Sequence, residues 1–170
     1  MSHADDHSVV RLRALIAPAK IIAAQNFSAV QRMVAVSDGT ITQLIEAFLG
    51  EPLEPAWIKQ VSSTLATDRR ILLEGTRNGR PVVFAHSSVE HLLLPAPARA
   101  DFLAGDKPIG EILRAHQLPT TRIVRRAWLD AAHELLDDGS QAVALAREYV
   151  ICVGRQEVFR ITEYFAPFIR

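Results

Sequence analysis

The segments Arg70-Ile71-Leu72-Leu73-Glu74 and Pro81-Val82-Val83-Phe84-Ala85 enclose the polar stretch Thr76-Arg77-Asn78-Gly79. Both outer segments are rich in β-branched and large apolar side chains, which fit a pleated and partly buried strand. An Asn-Gly pair is the strongest short-range signal for a hairpin, because both turn positions need a positive φ. These residues therefore predict an antiparallel β-hairpin, and this hairpin sets the class of the fold.

A second hairpin is predicted further along the chain, where residues 146–153 and 157–164 flank Gly154-Arg155-Gln156. Because successive side chains of a strand point to opposite faces, Phe159, Ile161 and Glu163 share one face of the returning strand. That face is apolar apart from the carboxyl group of Glu163.

Helical periodicity predicts short helices in the remaining segments. They comprise 9–16, a helix through Val34 that begins at Asn26 or Ser28, 43–49 with Thr42 as its N-cap, 99–103 and 109–116, with an extended segment over 57–65. Two hairpins with helices before and between them favour the α+β class: one antiparallel β-sheet of about six strands with helices packed on one face. We expect one domain over residues 1–170, with residues 1–8 disordered.

The composition excludes several classes of function. Lys and Arg total 19 and Asp and Glu total 19, so no net field attracts nucleic acid or an anionic membrane. Cys152 is the sole cysteine, which excludes an intrachain disulfide and a thiolate metal cluster. The first residues carry two aspartates where a signal peptide needs positive charge, and no apolar run approaches the roughly 20 residues that cross a bilayer. We therefore expect a cytoplasmic protein without nucleic-acid or membrane partners.

Two charged residues are unusual for their positions. Glu163 lies on an apolar strand face, and Arg69 leads directly into the apolar strand that contains Ile71 and Leu73. A buried charge is costly unless a partner or a ligand compensates it. Arg69 and Glu163 therefore either pair with each other or with other groups, remain wet at edge positions, or bind a ligand.

The other candidate residues carry weaker signals. The histidines show no ligand spacing, so no metal site is predicted. Ser87-Ser88 lacks the glycines of a nucleophile elbow. Arg122, Arg125 and Arg126 precede Trp128, but acidic residues follow at once, so a solvated face is favoured over a nucleic-acid site.

Four segments occur in the order and spacing of a known family. They are Ser37-Asp38-Gly39-Thr40-Ile41-Thr42; Arg69-Arg70-Ile71-Leu72-Leu73 followed by residues 79–87; Lys107-Pro108-Ile109-Gly110-Glu111-Ile112-Leu113; and Arg147-Glu148-Tyr149 followed by Thr162-Glu163-Tyr164-Phe165-Ala166-Pro167. On these segments, which extend over residues 35–168, the chain resembles the chorismate–pyruvate lyase family. Residues 117–146 match no segment of that family.

The resemblance implies an internal ligand cavity between the sheet and its helices, in an enzyme that eliminates pyruvate from chorismate to leave 4-hydroxybenzoate. It implies a small-molecule substrate, no metal and no cofactor, and we expect a monomer or a homodimer. Carried over by motif, Arg69 and backbone groups at Ile41 and Ile109 hold the ring carboxylate, and Glu163 meets the ring hydroxyl. Arg69 and Glu163 are the implied catalytic residues, with Glu163 either shuttling a proton or only positioning the ring.

Three alternatives remain open at this point. The chain could be a lyase for a related enolpyruvyl cyclohexadiene, a non-catalytic UTRA-like module that binds a small aromatic acid, or an inactive relative that retains the product.

Overall fold

The computed structural model describes residues 27–131, 133–136 and 143–169. The predicted helix over 9–16 and the predicted disorder of residues 1–8 lie outside these ranges. In chain order the described elements are α1 (Ala29–Val36), α2 (Ile41–Leu49), β1 (Leu53–Ser62), β2 (Thr67–Gly75), β3 (Pro81–Val89), a 3-10 turn (His91–Leu93), α3 (Ala96–Ala104), α4 (Ile109–Ala115), β4 (Thr120–Ala131), β5 (Val143–Val153) and β6 (Gln156–Phe165). None of the helices in these ranges is long and apolar enough to cross a membrane.

The strands form one sheet in the order β1-β2-β3-β6-β5-β4, and every neighbouring pair is antiparallel. Both predicted hairpins are confirmed: β2 and β3 turn at Gly79, and β5 and β6 turn at Gly154. These glycines have φ values of 62° and 59°, in the left-handed region where a side chain is disfavoured. The α+β class and the antiparallel sheet of six strands are therefore confirmed for the described part of the chain.

The strand β4 is absent from the sequence-based interpretation and is the largest correction to it. Its burial pattern does not alternate cleanly, because a β-bulge lies between Val124 and Arg126. A bulge inserts one extra residue and so reverses which side chains face the core. A strand with this irregularity loses the period-2 pattern by which strands are recognised.

The helix α2 corrects a second prediction, that Thr42 caps a helix over 43–49. The helix begins at Ile41, Thr40 is the N-cap residue, and Gly50 ends the helix with a φ of 68°. The backbone carbonyl of Thr40 already accepts a hydrogen bond from the Leu44 amide at 3.4 Å, which moves the start of the helix two residues earlier. The helix α1 begins as predicted at Ser28, whose hydroxyl group accepts a hydrogen bond from the Gln31 amide.

The described helices cover one face of the sheet, in two apolar clusters. One cluster joins α1 and α2 to the sheet and includes Val34, Ile45, Val83, Leu145 and Phe165. The other joins α3 and α4 to the sheet and includes Phe102, Ile112, Ile151, Phe159 and Ile161. The sheet residues of both clusters alternate with outward-facing residues and share the face that carries Arg69 and Glu163.

Candidate functional site

A cavity of about 100 Å³ lies between the covered face of the sheet and the N-terminal ends of α2 and α4. Strands β2 to β6 supply its floor, and residues 39–42 and 108–110 supply the opposite wall. A polar site needs only about 10–15 Å³ to hold one water molecule, so this cavity can hold a ligand larger than water. That it is closed to solvent, as the resemblance implies, stays a prediction.

The strand register places the two predicted catalytic residues on the floor of this cavity. Arg69 on β2 pairs with Ser87 on β3, and Glu163 on β6 pairs with Ala85 on β3. The two charged residues therefore lie on strands separated by one strand, β3, and they are offset by two residues along the strand direction. Two strand spacings and a two-residue offset separate their backbones by roughly 11–12 Å. They form no ion pair with each other, and both line the cavity.

The guanidinium of Arg69 is buried, with 1% of the residue exposed. It donates hydrogen bonds to the side-chain oxygen of Gln60 at 3.3 Å and to the backbone carbonyl of Lys107, and it lies 5.3 Å from the centre of the Phe102 ring. No carboxylate in the described ranges lies within 4 Å of it. Burial lowers the pKa of Arg69 and Asp106 opposes that change, but an arginine remains charged at neutral pH.

The surroundings of Glu163 differ from the apolar setting that the sequence pattern predicts. One carboxylate oxygen accepts a hydrogen bond from the Nε of Arg147 at 2.8 Å, and the other accepts from the hydroxyl group of Tyr149 at 2.9 Å. Both donors come from β5, the strand next to β6 in the sheet. Glu163 therefore has a polar environment within an apolar face, and Arg147 compensates its charge.

Arg147 also connects this pair to the helices. It is 1% exposed and donates from Nη1 to the backbone carbonyls of Val34 at 2.9 Å and Ser37 at 2.8 Å. Burial lowers the pKa of Arg147, but the interactions with Glu163 and Tyr149 together outweigh the effect of burial, so the pKa is raised. The segment that leads into α2 is thereby attached to the same ion pair as the floor of the cavity.

Tyr149 is expected to resist ionisation. Burial raises its pKa well above the ordinary value of 10.0, and the nearby negative charge of Glu163 raises it further. A folded-state pKa above the unfolded value gives stability that is complete below about pH 10 and is lost as the pH rises above it. The free energy of unfolding should therefore fall with rising alkaline pH, and Tyr149→Phe should make that decline shallower. Urea unfolding at a series of pH values measures both slopes, and equal slopes would contradict the burial of the phenol.

Ile41 and Ile109 lie where two helix N-termini meet the cavity. Each is the first residue of its helix, α2 or α4, so its backbone N–H has no acceptor within the helix. Helix N-termini carry a partial positive charge and favour anions. Both residues line the cavity and also pack in the apolar clusters.

Sequence reasoning missed three residues of this site: Arg122 and Tyr149 line the cavity, and Arg147 binds Glu163. Arg147 and Tyr149 occur in a quoted motif but received no role, because β5 is buried on both faces and its pattern does not reveal which side chains point inward. The sequence pattern favours a solvated face for Arg122, but this residue is half-buried and lines the cavity. The assignment is correct for Arg125 and Arg126, which are exposed.

The cavity has a buried arginine on its floor and two helix N-termini in its opposite wall. Such an arrangement is typical of proteins that bind a small anionic molecule. In the described ranges no group of three or more His, Cys, Asp or Glu side chains could hold a metal ion. The model of the family described as "Chorismate pyruvate-lyase Rv2949c-like" matches residues 53–170 of this sequence. The chain therefore belongs to the Rv2949c-like chorismate pyruvate-lyase family, which confirms the resemblance found in the sequence.

Two relatives cover most of the chain. The "Chorismate pyruvate-lyase" of Mycobacterium leprae is 28% identical over an alignment of 152 residues, and the match covers 79% of this chain and 72% of the relative. The protein "Putative lyase MJ0807" of Methanocaldococcus jannaschii is 26% identical over an alignment of 144 residues, and the match covers 80% of this chain and 77% of the relative. The crystal structure of the "putative transcriptional regulator from Streptomyces coelicolor" is 14% identical with a TM-score of 0.43, covering 69% of this chain and 91% of that one. That last similarity supports no conclusion about function.

Proposed function

We propose that this protein is a cofactor-independent chorismate pyruvate-lyase that converts chorismate into 4-hydroxybenzoate and pyruvate. One observation carries the proposal: Arg69 is buried in the floor of the cavity and has no carboxylate partner among the described residues. A buried, unpaired guanidinium costs folding free energy, and a bound carboxylate would recover it. Membership of the family supports chorismate as the source of that carboxylate.

Arg69 is assigned to the ring carboxylate. Its planar guanidinium matches the two oxygens of a carboxylate and can donate to both at once. The free backbone N–H groups at Ile41 and Ile109 add donors beside the same anion. This arrangement fixes one end of the ring at β2 and directs the other end toward β6, where Glu163 lies.

Glu163 is assigned to the ring hydroxyl as a hydrogen-bond acceptor. Each carboxylate oxygen has a second lone pair that remains available after the bonds from Arg147 and Tyr149. Taking up a proton would cost Glu163 one of those two bonds. A positioning role is therefore favoured over a proton-shuttle role.

The substrate supplies much of the driving force for this reaction. The hydroxyl-bearing ring carbon loses a proton, and its C–H electron pair becomes the third double bond of an aromatic ring. The neighbouring ring carbon loses the enolpyruvyl oxygen, which departs with the C–O electron pair and is protonated to give pyruvate. The protein is required to bind the dianion, orient the ring and exclude water, which needs no metal or organic cofactor.

The proposal is tested by incubating the purified protein with chorismate and quantifying 4-hydroxybenzoate and pyruvate. We expect equimolar amounts of both, at an unchanged rate after exhaustive treatment with a chelator. Binding of 4-hydroxybenzoate without turnover would favour an inactive, product-retaining relative. Pyruvate released with a different aromatic product would favour a related substrate, and a rate restored only by a divalent metal would overturn the cofactor-free mechanism.

The substitution Glu163→Gln separates the two roles of that residue. Glutamine keeps the shape and can still accept a hydrogen bond, so a positioning role predicts a fall in kcat of less than about 10-fold. General acid–base catalysis contributes about 100- to 10,000-fold, so a proton shuttle predicts a fall in that range. Steady-state kinetics with chorismate decides between them. Glu148→Gln is the matched control, because Glu148 lies on the neighbouring strand and pairs with the exposed Arg126 at 2.9 Å.

A further inference from the structure

Arg122 lies on the edge strand β4 and lines the same cavity as Arg69 and Glu163. In the register of the sheet it pairs with Ile151, a buried residue on the floor of the cavity. The side chain is only half exposed, and no carboxylate in the described ranges lies within 4 Å of its guanidinium. The cavity thus has a second arginine without a carboxylate partner in the part of the chain that the structure describes.

The neighbouring arginines of β4 behave differently. Arg125 pairs with Glu157 at 3.3 Å and Arg126 pairs with Glu148 at 2.9 Å, and both are exposed. The bulge between Val124 and Arg126 places them away from the cavity, so the strand offers one inward and two outward arginines. Arg122 is therefore not part of a general basic surface.

Arg69 and Arg122 lie on opposite sides of the cavity floor. They lie on β2 and β4, which are separated by three strands in the sheet order. Four strand spacings correspond to roughly 19 Å between their backbones, and both residues line the cavity. Glu163 lies between them on β6, with its charge compensated by Arg147. Arg69 and Arg122 are thus two floor cations without a carboxylate within 4 Å among the residues that the structure describes, which suits a dianion.

We propose that Arg122 is a specificity-determining residue that binds the second carboxylate of the substrate, the one on the enolpyruvyl side chain. This inference rests on the proposed function for the identity of that group. Arg69 holds the carboxylate that stays on the ring, whereas Arg122 holds the carboxylate that leaves with pyruvate. Arg122 therefore favours the dianionic substrate over the monoanionic product, because the product does not carry the carboxylate that Arg122 binds.

Two unreactive ligands test this division without turnover. The first is 3-(carboxymethoxy)benzoate, which carries a ring carboxylate and a second carboxylate on an ether at the meta position. The second is 3-methoxybenzoate, which keeps the ring carboxylate and the ether but lacks the second carboxylate. Titration calorimetry measures the Kd of both ligands for the unmodified protein, for Arg122→Ala and for the control Arg125→Ala.

We expect Arg122→Ala to weaken binding of 3-(carboxymethoxy)benzoate by about 10-fold or more, since a hydrogen bond to a charged group is lost. Binding of 3-methoxybenzoate should change less than about twofold, which also shows that the variant is folded, and Arg125→Ala should change neither. Should Arg122→Ala fail to fold, Arg122→Gln keeps the bulk and has the same expected outcome.

Equal effects on the two ligands, or no effect on the first, would overturn the role of Arg122. Failure of the unmodified protein to bind either ligand would overturn it as well. Arg122→Ala could weaken binding of 3-(carboxymethoxy)benzoate selectively, as expected, while the unmodified protein does not turn over chorismate. That result would refute the proposed reaction but support the second carboxylate site.

Discussion

Arg69→Ala is expected to reduce kcat/KM for chorismate by about 100-fold or more. Removing one partner of a buried charge pair costs roughly 3–5 kcal/mol, and each 1.4 kcal/mol corresponds to a factor of ten. In the complex that pair consists of the Arg69 guanidinium and the ring carboxylate of the ligand. The fold should survive the change, because the substitution removes a buried cation that has no carboxylate partner in the described ranges. Steady-state kinetics and calorimetric binding of 4-hydroxybenzoate measure the loss.

Two further variants show whether the effect belongs to the guanidinium inside the cavity. Arg70→Ala is the matched control, since Arg70 is the next residue, is exposed and forms only a 3.6 Å ion pair with Asp68. It should leave kcat/KM within about twofold, as surface pairs contribute little. Arg69→Lys should recover little of the loss, because an ammonium group cannot donate to both carboxylate oxygens in the fork geometry. Full recovery by lysine would mean that charge alone matters.

Arg147→Met is expected to lower the free energy of unfolding by roughly 3–5 kcal/mol, the usual cost of leaving a buried charge without its partner. The variant leaves the carboxylate of Glu163 with only the hydroxyl group of Tyr149 as a donor, and it removes the donor to the carbonyls of Val34 and Ser37. Such a loss is a large fraction of the stability of a typical domain. Urea unfolding monitored by circular dichroism measures it.

Two further variants are the controls for Arg147→Met. Arg126→Met breaks the exposed 2.9 Å pair with Glu148 and should cost less than about 1 kcal/mol. The double variant Arg147→Met/Glu163→Leu removes both charges and should be more stable than Arg147→Met alone, since no uncompensated carboxylate remains. A loss below about 1 kcal/mol for Arg147→Met would mean that water reaches the pair.

The sequence predicts the sheet well because its central strands have strong local signals. Asn78-Gly79 and Gly154 mark the two hairpin turns, and the apolar strands beside them leave few alternative pairings. The edge strand β4 has no such signal. Its bulge breaks the alternation of side chains, and its arginines resemble a surface segment although Arg122 points inward.

The sequence predicts the site residues only where a charged residue occurs within an otherwise apolar strand. Glu163 is found because its carboxylate interrupts an otherwise apolar strand face, and Arg69 because it opens an apolar strand. The partners of Glu163 are not predictable in this way, because they depend on the pairing of β5 with β6 across the second hairpin. In β5 both faces are covered, so the position of Arg147 in the sequence does not distinguish an inward from an outward side chain.

The central claim is that Arg69 and Glu163 hold opposite ends of one aromatic ring inside the cavity. A crystal structure with 4-hydroxybenzoate bound tests it most directly. We predict the ligand carboxylate within hydrogen-bond distance of the Arg69 guanidinium and the ligand hydroxyl within hydrogen-bond distance of the Glu163 carboxylate, with the Arg147–Glu163 ion pair intact. A ligand bound outside the cavity, or one with its hydroxyl at Arg69 and its carboxylate elsewhere, would contradict the claim.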